Sequence, residues 1–132
     1  MGRFVAALAA LVVVVAGCSE ESKPERAKDA KITVDGKTKT TPDIECTQVD
    51  WTMTIKTTWT DSFLAVGGQE PVARNVVITD FDGFNGVAGE GAGEANLAVV
   101  NNDYVISGTA EGTAVDNPGQ TKSVPFKIET SC

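Results

Sequence analysis

The sequence predicts an all-β domain, either an antiparallel β-sandwich or a flattened barrel of seven to nine short strands, stapled by one disulfide bond. From Lys31 onward, β-branched residues alternate with polar ones, and turns rich in Gly, Asn and Asp divide the chain into short segments. The intervals between these turns leave no room for the crossover helices, about ten or more residues long, that a parallel sheet needs. Two cysteines within this region supply the disulfide.

The first seventeen residues have the pattern of a secretory signal peptide. Arg3 supplies a positive start, residues 4–15 are apolar, and small residues precede Cys18. This apolar run would cover only about 18 Å as a helix, well short of the roughly 30 Å hydrocarbon core of a membrane. Residues 15–18, Val-Ala-Gly-Cys, resemble the bacterial lipobox, whose cysteine is acylated and becomes the mature N-terminus. We therefore expect lipid on Cys18; a free thiol after ordinary cleavage is the alternative.

Residues 18–30 are predicted to be a lipidated N-terminus followed by a disordered tether. Seven of residues 19–30 are charged, and none is aromatic or β-branched, so this segment cannot bury enough surface to order itself. A frayed first helical turn is the alternative. Two or three acyl chains hold a protein stably on a membrane where one does not. We expect an exported protein, lipid-anchored to the cell membrane or outer envelope and facing outward, with a β-domain over residues 31–132.

The first element of the domain is a β-hairpin. Residues 32–34 and 37–39 are short strand candidates, and Asp35-Gly36 stands between them. Asp-Gly accepts the positive φ that tight hairpin turns require, so the sequence predicts two antiparallel strands joined by this turn.

The next strand has one apolar face. Because side chains alternate across a strand, Trp51, Met53, Ile55 and Trp59 share one face, and the threonines and lysine between them share the other. Two interpretations follow for the four apolar side chains. They fill the core between two sheets, or they line a cavity able to hold an acyl chain or another envelope lipid.

Five further strand candidates complete the domain. They are separated by Gly67-Gly68, by the glycine-rich stretch 83–93, and by polar turns at 101–103 and 117–119. The candidates are residues 63–66, 72–78, 96–100, 104–108 and 124–130.

Two cysteines remain once Cys18 is assigned to lipid. An exported chain meets oxidising conditions, so we predict that Cys46 is bonded to Cys132 and pins the C-terminal strand beside the strand around Ile44. Two free buried thiols are the alternative. In the chain-entropy model, a closed loop of this size contributes about 4 to 5 kcal/mol, which is comparable with the whole stability of a small domain.

Charge and composition exclude several classes of function. The formal net charge is −7, from 18 acidic and 11 basic side chains, and the chain has no His. The negative field repels nucleic acid, so no nucleic-acid partner is expected. Without His the chain lacks the commonest general base and metal ligand. We therefore predict no catalytic residue, metal site or cofactor, and no enzymatic activity.

Two loops have the superficial pattern of ligand sites. Residues 80–86, Asp-Phe-Asp-Gly-Phe-Asn-Gly, carry oxygen ligands at alternate positions, but their spacing does not fit the register of a calcium loop. Two interpretations remain for this segment, a turn or a weak, irregular cation site. Residues 89–94 lack the Lys and Ser or Thr of a phosphate loop and are predicted to be a flexible hairpin loop. No activating base is identified for the serines of the domain, Ser62, Ser107, Ser123 and Ser131.

An ordered set of blocks resembles a known family. The blocks are the lipobox, the tether, residues 31–37, Glu-Cys-Thr at 45–47, Gly-Phe-Asn-Gly-Val at 83–87, residues 104–112 and residues 126–132. Over about residues 31–132, this order resembles the mycobacterial nineteen-kilodalton lipoprotein antigen family. The resemblance implies a lipidated envelope protein that host innate receptors recognise through its acyl chains, with no established enzymatic activity. It matches Cys18 to the acylated cysteine, and Cys46 and Cys132 to the two domain cysteines.

The tether departs from the family pattern. The family's tether is rich in Thr, Ser and Ala and carries glycans, whereas residues 19–30 are charged and contain no Thr. This departure argues against glycosylation of the tether. The nearest threonine cluster is Thr38, Thr40 and Thr41, which lies at or after a predicted strand.

The sequence as a whole predicts a non-enzymatic envelope lipoprotein, anchored in the membrane through lipid on Cys18, that contacts envelope components or host receptors. The alternative is a lipid or small-molecule carrier with a cavity inside the β-domain, lined by the four apolar residues named above. A hydrolase would require loop carboxylates to converge in a cleft. The oligomeric state is not predicted.

Overall fold

A computed structural model describes residues 29–67 and 70–132, so the predicted signal peptide, Cys18 and most of the tether lie outside the described residues. The described part folds into ten antiparallel strands without helices, and it contains no helix of the length and hydrophobicity that a membrane crossing needs. The strands are β1 (Ala30–Val34), β2 (Lys37–Thr41), β3 (Glu45–Val49), β4 (Thr52–Lys56), β5 (Thr60–Ala65), β6 (Val72–Phe81), β7 (Phe84–Gly89), β8 (Glu94–Val100), β9 (Asp103–Ala114) and β10 (Asn117–Ser131).

The strands form one continuous sheet curled into a half-barrel. Its order is β2-β1-β10-β9-β7-β6-β5-β4-β3, and β8 pairs with β9 off this path. The predicted antiparallel all-β fold is confirmed. The structure has ten strands rather than seven to nine, and one of the added strands, β7, lies inside the glycine-rich stretch that was predicted to divide strands.

Glycines in this region allow close strand packing as well as turns. Gly86 points into the core from β7, where a Cβ would press on the ring of Phe84. Gly112 in β9 has no space for a Cβ because the carbonyl oxygen of Asn85 lies against it. β9 therefore continues to Ala114, pairing first with β8 and then with β7, instead of ending near Gly108 as predicted.

Two Asp-Gly turns set the register of two hairpins. Asp35 and Gly36 have φ values of 54° and 85°, and Val34 pairs with Lys37 across the turn. Asp82 and Gly83 repeat this geometry between β6 and β7, with φ values of 52° and 86°. Positive φ at both central residues matches the right-handed twist of the flanking strands. The predicted β1–β2 hairpin is confirmed.

The inner faces of the curled sheet share one hydrophobic core. Ile32, Ile106 and Ile128 project into it from β1, β9 and β10, and Ile55 and Leu64 project from β4 and β5; all five are fully buried and belong to the same cluster. Burying a side chain of this size stabilises the fold by about 1.5 to 3 kcal/mol. The core thus joins strands that are distant in the order of the sheet.

The edge strand β2 runs past the ends of two hairpins from the other side of the half-barrel. The Thr41 hydroxyl lies 2.8 Å from the Thr58 hydroxyl in the β4–β5 turn. Two residues earlier, Lys39 reaches Asp82 in the β6–β7 turn. Among the described strands, β2 pairs with β1 alone, so side chains rather than a ladder of backbone hydrogen bonds hold this seam.

The disulfide bond closes the end of the half-barrel. Cys46 of β3 is bonded to Cys132, directly after β10, with their Cα atoms 6.0 Å apart, so the predicted pairing is present. In the sheet, β3 and β10 are six strands apart. A flat sheet at about 4.8 Å per strand would separate them by about 29 Å. The bond is compatible only with a strongly curled sheet.

Candidate functional site

The four residues predicted to fill a core or line a cavity are not brought together. Met53 and Ile55 lie in the core, with 8% and 0% of their surfaces exposed. Trp59 is half-buried at the seam beside β2, and Trp51 is 71% exposed. Trp51 does not lie on the inner face of the sheet, where the alternation predicted it, because β4 begins only at Thr52. The preceding Asp50 has a φ of 55°, so the alternation of the strand does not extend back through this turn.

Two of the described surface pockets differ from an acyl-chain cavity in their lining. One, of about 310 Å³, is lined mainly by charged and hydroxyl side chains with Tyr104 and Val105. The other, of about 520 Å³, lies at the turn that carries Thr57 and Thr58. None of the four predicted cavity residues lines either pocket. The positions of Met53 and Ile55 therefore favour the filled-core interpretation.

A cluster on the described surface combines an ion pair with two aromatic rings. It is formed by Lys39, Trp59, Phe81 and Asp82 and is here called the Lys39 latch. The Lys39 ammonium lies 2.6 Å from Asp82 Oδ1, 5.2 Å from the ring centroid of Trp59 and 5.0 Å from that of Phe81. The two rings meet edge to face, with centroids 5.7 Å apart. An ion pair and two cation–π contacts thus converge on one lysine. Sequence reasoning missed this cluster because its members are brought together only by the curl of the sheet.

The latch changes the acidity of Asp82. The hydrogen bond from Lys39 lowers the pKa of the Asp82 carboxyl, desolvation partly opposes this shift, and the charges of Lys39 and Lys37 add to the lowering. The carboxylate is thus held ionised and paired. The arrangement joins β2 to the β6–β7 turn and has the chemistry of a structural clamp rather than of a general acid.

Residues 80–86 are not a separate loop: Asp82 and Gly83 form a tight turn, and the residues on either side belong to β6 and β7. The Asp80 backbone N–H donates to Asn85 Oδ1 at 2.9 Å, and Asp82 is paired with Lys39. Within residues 29–67 and 70–132, no three His, Cys, Asp or Glu side chains come close enough together to hold a metal ion. The loop at 89–94 is a tight connection: a Cβ at Gly89 or Gly93 would collide with the carbonyl oxygen of Arg74 or Thr109.

Two of the described serines, Ser62 and Ser131, have defined surroundings. Ser62 is fully buried in β5, and its hydroxyl has no hydrogen-bond partner. The Ser131 hydroxyl donates to Asp103 Oδ1 at 2.7 Å, at the end of the ladder where β9 begins and β10 ends. Activation of a serine requires a neighbouring base that accepts its proton, and the Ser62 hydroxyl has no such partner.

The chain is similar to mycobacterial lipoproteins along nearly its whole length. The family model described as Mycobacterium 19 kDa lipoprotein antigen matches residues 23–132. A putative lipoprotein of Mycobacterium avium subsp. hominissuis is 32% identical to the chain, over 97% of this chain and 92% of its own length. The probable lipoprotein LppE of Mycobacterium tuberculosis is 31% identical over 98% of both chains. Lipoprotein LpqH of Mycobacterium avium is 27% identical, over 92% of this chain and 90% of its own length.

The filled core can be tested with two substitutions on either side of the start of β4. Ile55→Ala removes a fully buried side chain and is expected to lower the free energy of unfolding by about 2 to 5 kcal/mol. Trp51→Ala, at an exposed site, is expected to change it by less than about 1 kcal/mol. Urea denaturation followed by circular dichroism measures both. Similar small losses for the two variants would contradict the filled core and favour a lined cavity.

The Lys39 latch predicts a titration that depends on Lys39. In the folded protein the pKa of Asp82 lies below its ordinary value of 3.8, so its contribution to stability is complete above that value and is lost as the pH falls through the folded pKa. In Lys39→Met the Asp82 pKa is expected to rise, as followed by carboxyl carbon NMR. Lys122→Met is the control, since Lys122 lies beside Asp35 instead. An unchanged Asp82 pKa in Lys39→Met would refute the latch.

Proposed function

The chain belongs to the Mycobacterium 19 kDa lipoprotein antigen family, and we propose that it is an outward-facing contact module of the envelope, held on the membrane by acyl chains on Cys18. Its relatives are named as a putative and a probable lipoprotein, which supports an exported, envelope-associated protein. The proposal is carried by the order of features along the chain. An apolar leader ends at Val-Ala-Gly-Cys, a charged spacer follows, and the folded domain begins at Ala30.

The proposed anchor is covalent lipid rather than a protein segment. Each buried CH₂ of an acyl chain contributes about 0.8 kcal/mol, so two or three chains give stable attachment without a spanning helix. Asp29 is eleven residues beyond Cys18, and the spacer between them is rich in both signs of charge. A segment of this composition stays in water and lets the domain stand off the bilayer.

We propose that the domain acts by contact and not by catalysis. The chain has no His, and the Asp82 and Glu90 carboxylates are paired with Lys39 and Arg74. A carrier would need an apolar cavity, whereas Met53 and Ile55 pack in the core. A folded module with a polar surface and a lipid anchor is suited to presenting that surface to envelope or host molecules.

We further propose that host innate receptors bind the acyl chains on Cys18. The family model describes an antigen, and the predicted lipid site is separated from the β-domain by the spacer. Recognition would then depend on acylation and be insensitive to substitutions on the surface of the domain.

Lipid attachment at Cys18 predicts the outcome of metabolic labelling with an alkyne-bearing fatty acid. The unmodified chain and Cys46→Ser are expected to take up the label, because both retain Cys18, whereas Cys18→Ser is expected to lose it. Acylated chain purified from the envelope should also activate reporter cells that respond to bacterial lipoproteins, and the unlipidated β-domain should not. Label on Cys18→Ser, or an equal response to both preparations, would contradict the proposal.

A further inference from the structure

The strand β3 is held on the domain by few non-covalent contacts. Four of its five residues are exposed, and only Cys46 is half-buried. None of its residues is among the buried members of the hydrophobic core, and in the described sheet it lies at the edge and pairs with β4 alone. Burial of apolar side chains is the main gain that offsets the entropy lost when a segment becomes ordered. The side chains of β3 therefore do little to keep this strand in place.

The residues on either side of β3 are held more firmly. Ile44, before the strand, is half-buried and packs against the core. After the strand, the Trp51 carbonyl oxygen accepts a hydrogen bond of 2.9 Å from the Val66 N–H. Residues 45–50, between these two points, are here called the strap. Within the described residues, the strap has its backbone ladder with β4 and one covalent link, the disulfide bond of Cys46.

The disulfide bond faces solvent on the side of Cys132. Cys132 is an exposed residue after the last strand, whereas Cys46 is half-buried. The Cys132 N–H donates to the Asn102 carbonyl oxygen at 3.2 Å, which keeps the chain end beside the β8–β9 turn. Thiol–disulfide exchange requires direct access of a thiolate to one sulfur, and exposed disulfide bonds are reduced more easily than buried ones. The exposure therefore favours attack on Cys132, with Cys46 as the leaving group.

We propose that the Cys46–Cys132 bond is a reducible fastener, which a dithiol reductant opens to release the strap and the curled end of the sheet. A thiolate of the reductant attacks Cys132 Sγ, the S–S bond breaks, and Cys46 leaves as a thiolate that takes up a proton. The second thiol of the reductant, as a thiolate, attacks the mixed disulfide, closes the reductant's own disulfide and releases Cys132, which is also protonated. Two electrons pass from the dithiol to the cysteine pair, and the two protons lost by the dithiol balance those gained.

Release of the strap changes the edge of the sheet. In the oxidised protein all five residues of β3 are paired with β4 and cover its backbone. In the reduced protein β4 becomes the edge strand, and one side of its backbone is open to new pairing. β4 stays in place because Met53 and Ile55 are buried in the core. Strands β1, β9 and β10 stay paired because their ladders do not involve the strap.

Hydrogen–deuterium exchange followed by mass spectrometry tests the release. The full chain purified from the envelope is compared before and after treatment with dithiothreitol, the dithiol used as the probe. In the reduced protein the amides of residues 45–50 are expected to exchange about tenfold faster, while those of β9 and β10 keep their protection. Unchanged exchange in the strap would overturn the proposal, because pairing with β4 would then suffice to hold it. Simultaneous loss of protection in all strands would also overturn it, because no separate release of the strap would then occur.

The double variant Cys46→Ser with Cys132→Ser is the matched control for the reagent. It is expected to show fast exchange of the strap without dithiothreitol and no further change with it. A response of this variant to dithiothreitol would overturn the proposal, since the effect would not come from this bond. If the variant does not fold, the unmodified chain still gives the measurement, because it is reduced after folding.

The direction of attack is tested with a monothiol. Brief treatment of the oxidised chain with glutathione, quenched with excess N-ethylmaleimide, is expected to place glutathione on Cys132 and maleimide on Cys46. Mass spectrometry of the cysteine peptides identifies both adducts. Glutathione on Cys46 with maleimide on Cys132 would overturn the assignment of Cys132 as the attacked residue.

Discussion

The bond between Cys46 and Cys132 is the constraint on which the rest of the structure depends. It joins the edge strand β3 to the chain end after β10, two points that are six strands apart in the sheet but only 6.0 Å apart between Cα atoms. A large twisted sheet tends to curl, and the bond fixes the curled form and reduces the freedom of the unfolded chain. The half-barrel is therefore held by covalent chemistry that suits an exported protein.

The non-covalent contacts follow from this curl. Once the sheet is bent, β2 comes alongside the β4–β5 and β6–β7 turns, and the Lys39 latch fastens the seam where no backbone ladder forms. β3 buries little side-chain surface of its own, since only Cys46 is half-buried among its five residues. Its position depends on pairing with β4 and on the disulfide bond. The turn that carries Trp51 follows β3 directly, so the same bond also constrains the position of this turn.

Local rules predicted the local features of this chain. Asp35-Gly36 predicted a hairpin, period-two alternation placed Met53 and Ile55 inside, and the two domain cysteines predicted the bridge. The features that local rules missed depend on packing between distant segments. The glycine-rich stretch predicts a break between strands, but Gly86 lies within β7 and faces the hydrophobic core. Lys39 finds its partners across the seam, and the turn at Asp50 ends the alternation that would have buried Trp51. The boundaries at residues 17 and 30 stay predictions, because they rest on sequence pattern outside or at the margin of the described residues.

The three cysteines of the chain are proposed to serve two separate kinds of chemistry, lipid attachment and a disulfide bond, and one measurement tests that division. Protein purified from the envelope can be digested without reduction, and its cysteine peptides identified by mass spectrometry. The predicted result is an N-terminal peptide beginning at acylated Cys18, together with a single linked pair that contains Cys46 and Cys132. A disulfide to Cys18, or free thiols at both Cys46 and Cys132, would contradict the account, because neither the anchor nor the curled sheet would then have its proposed basis.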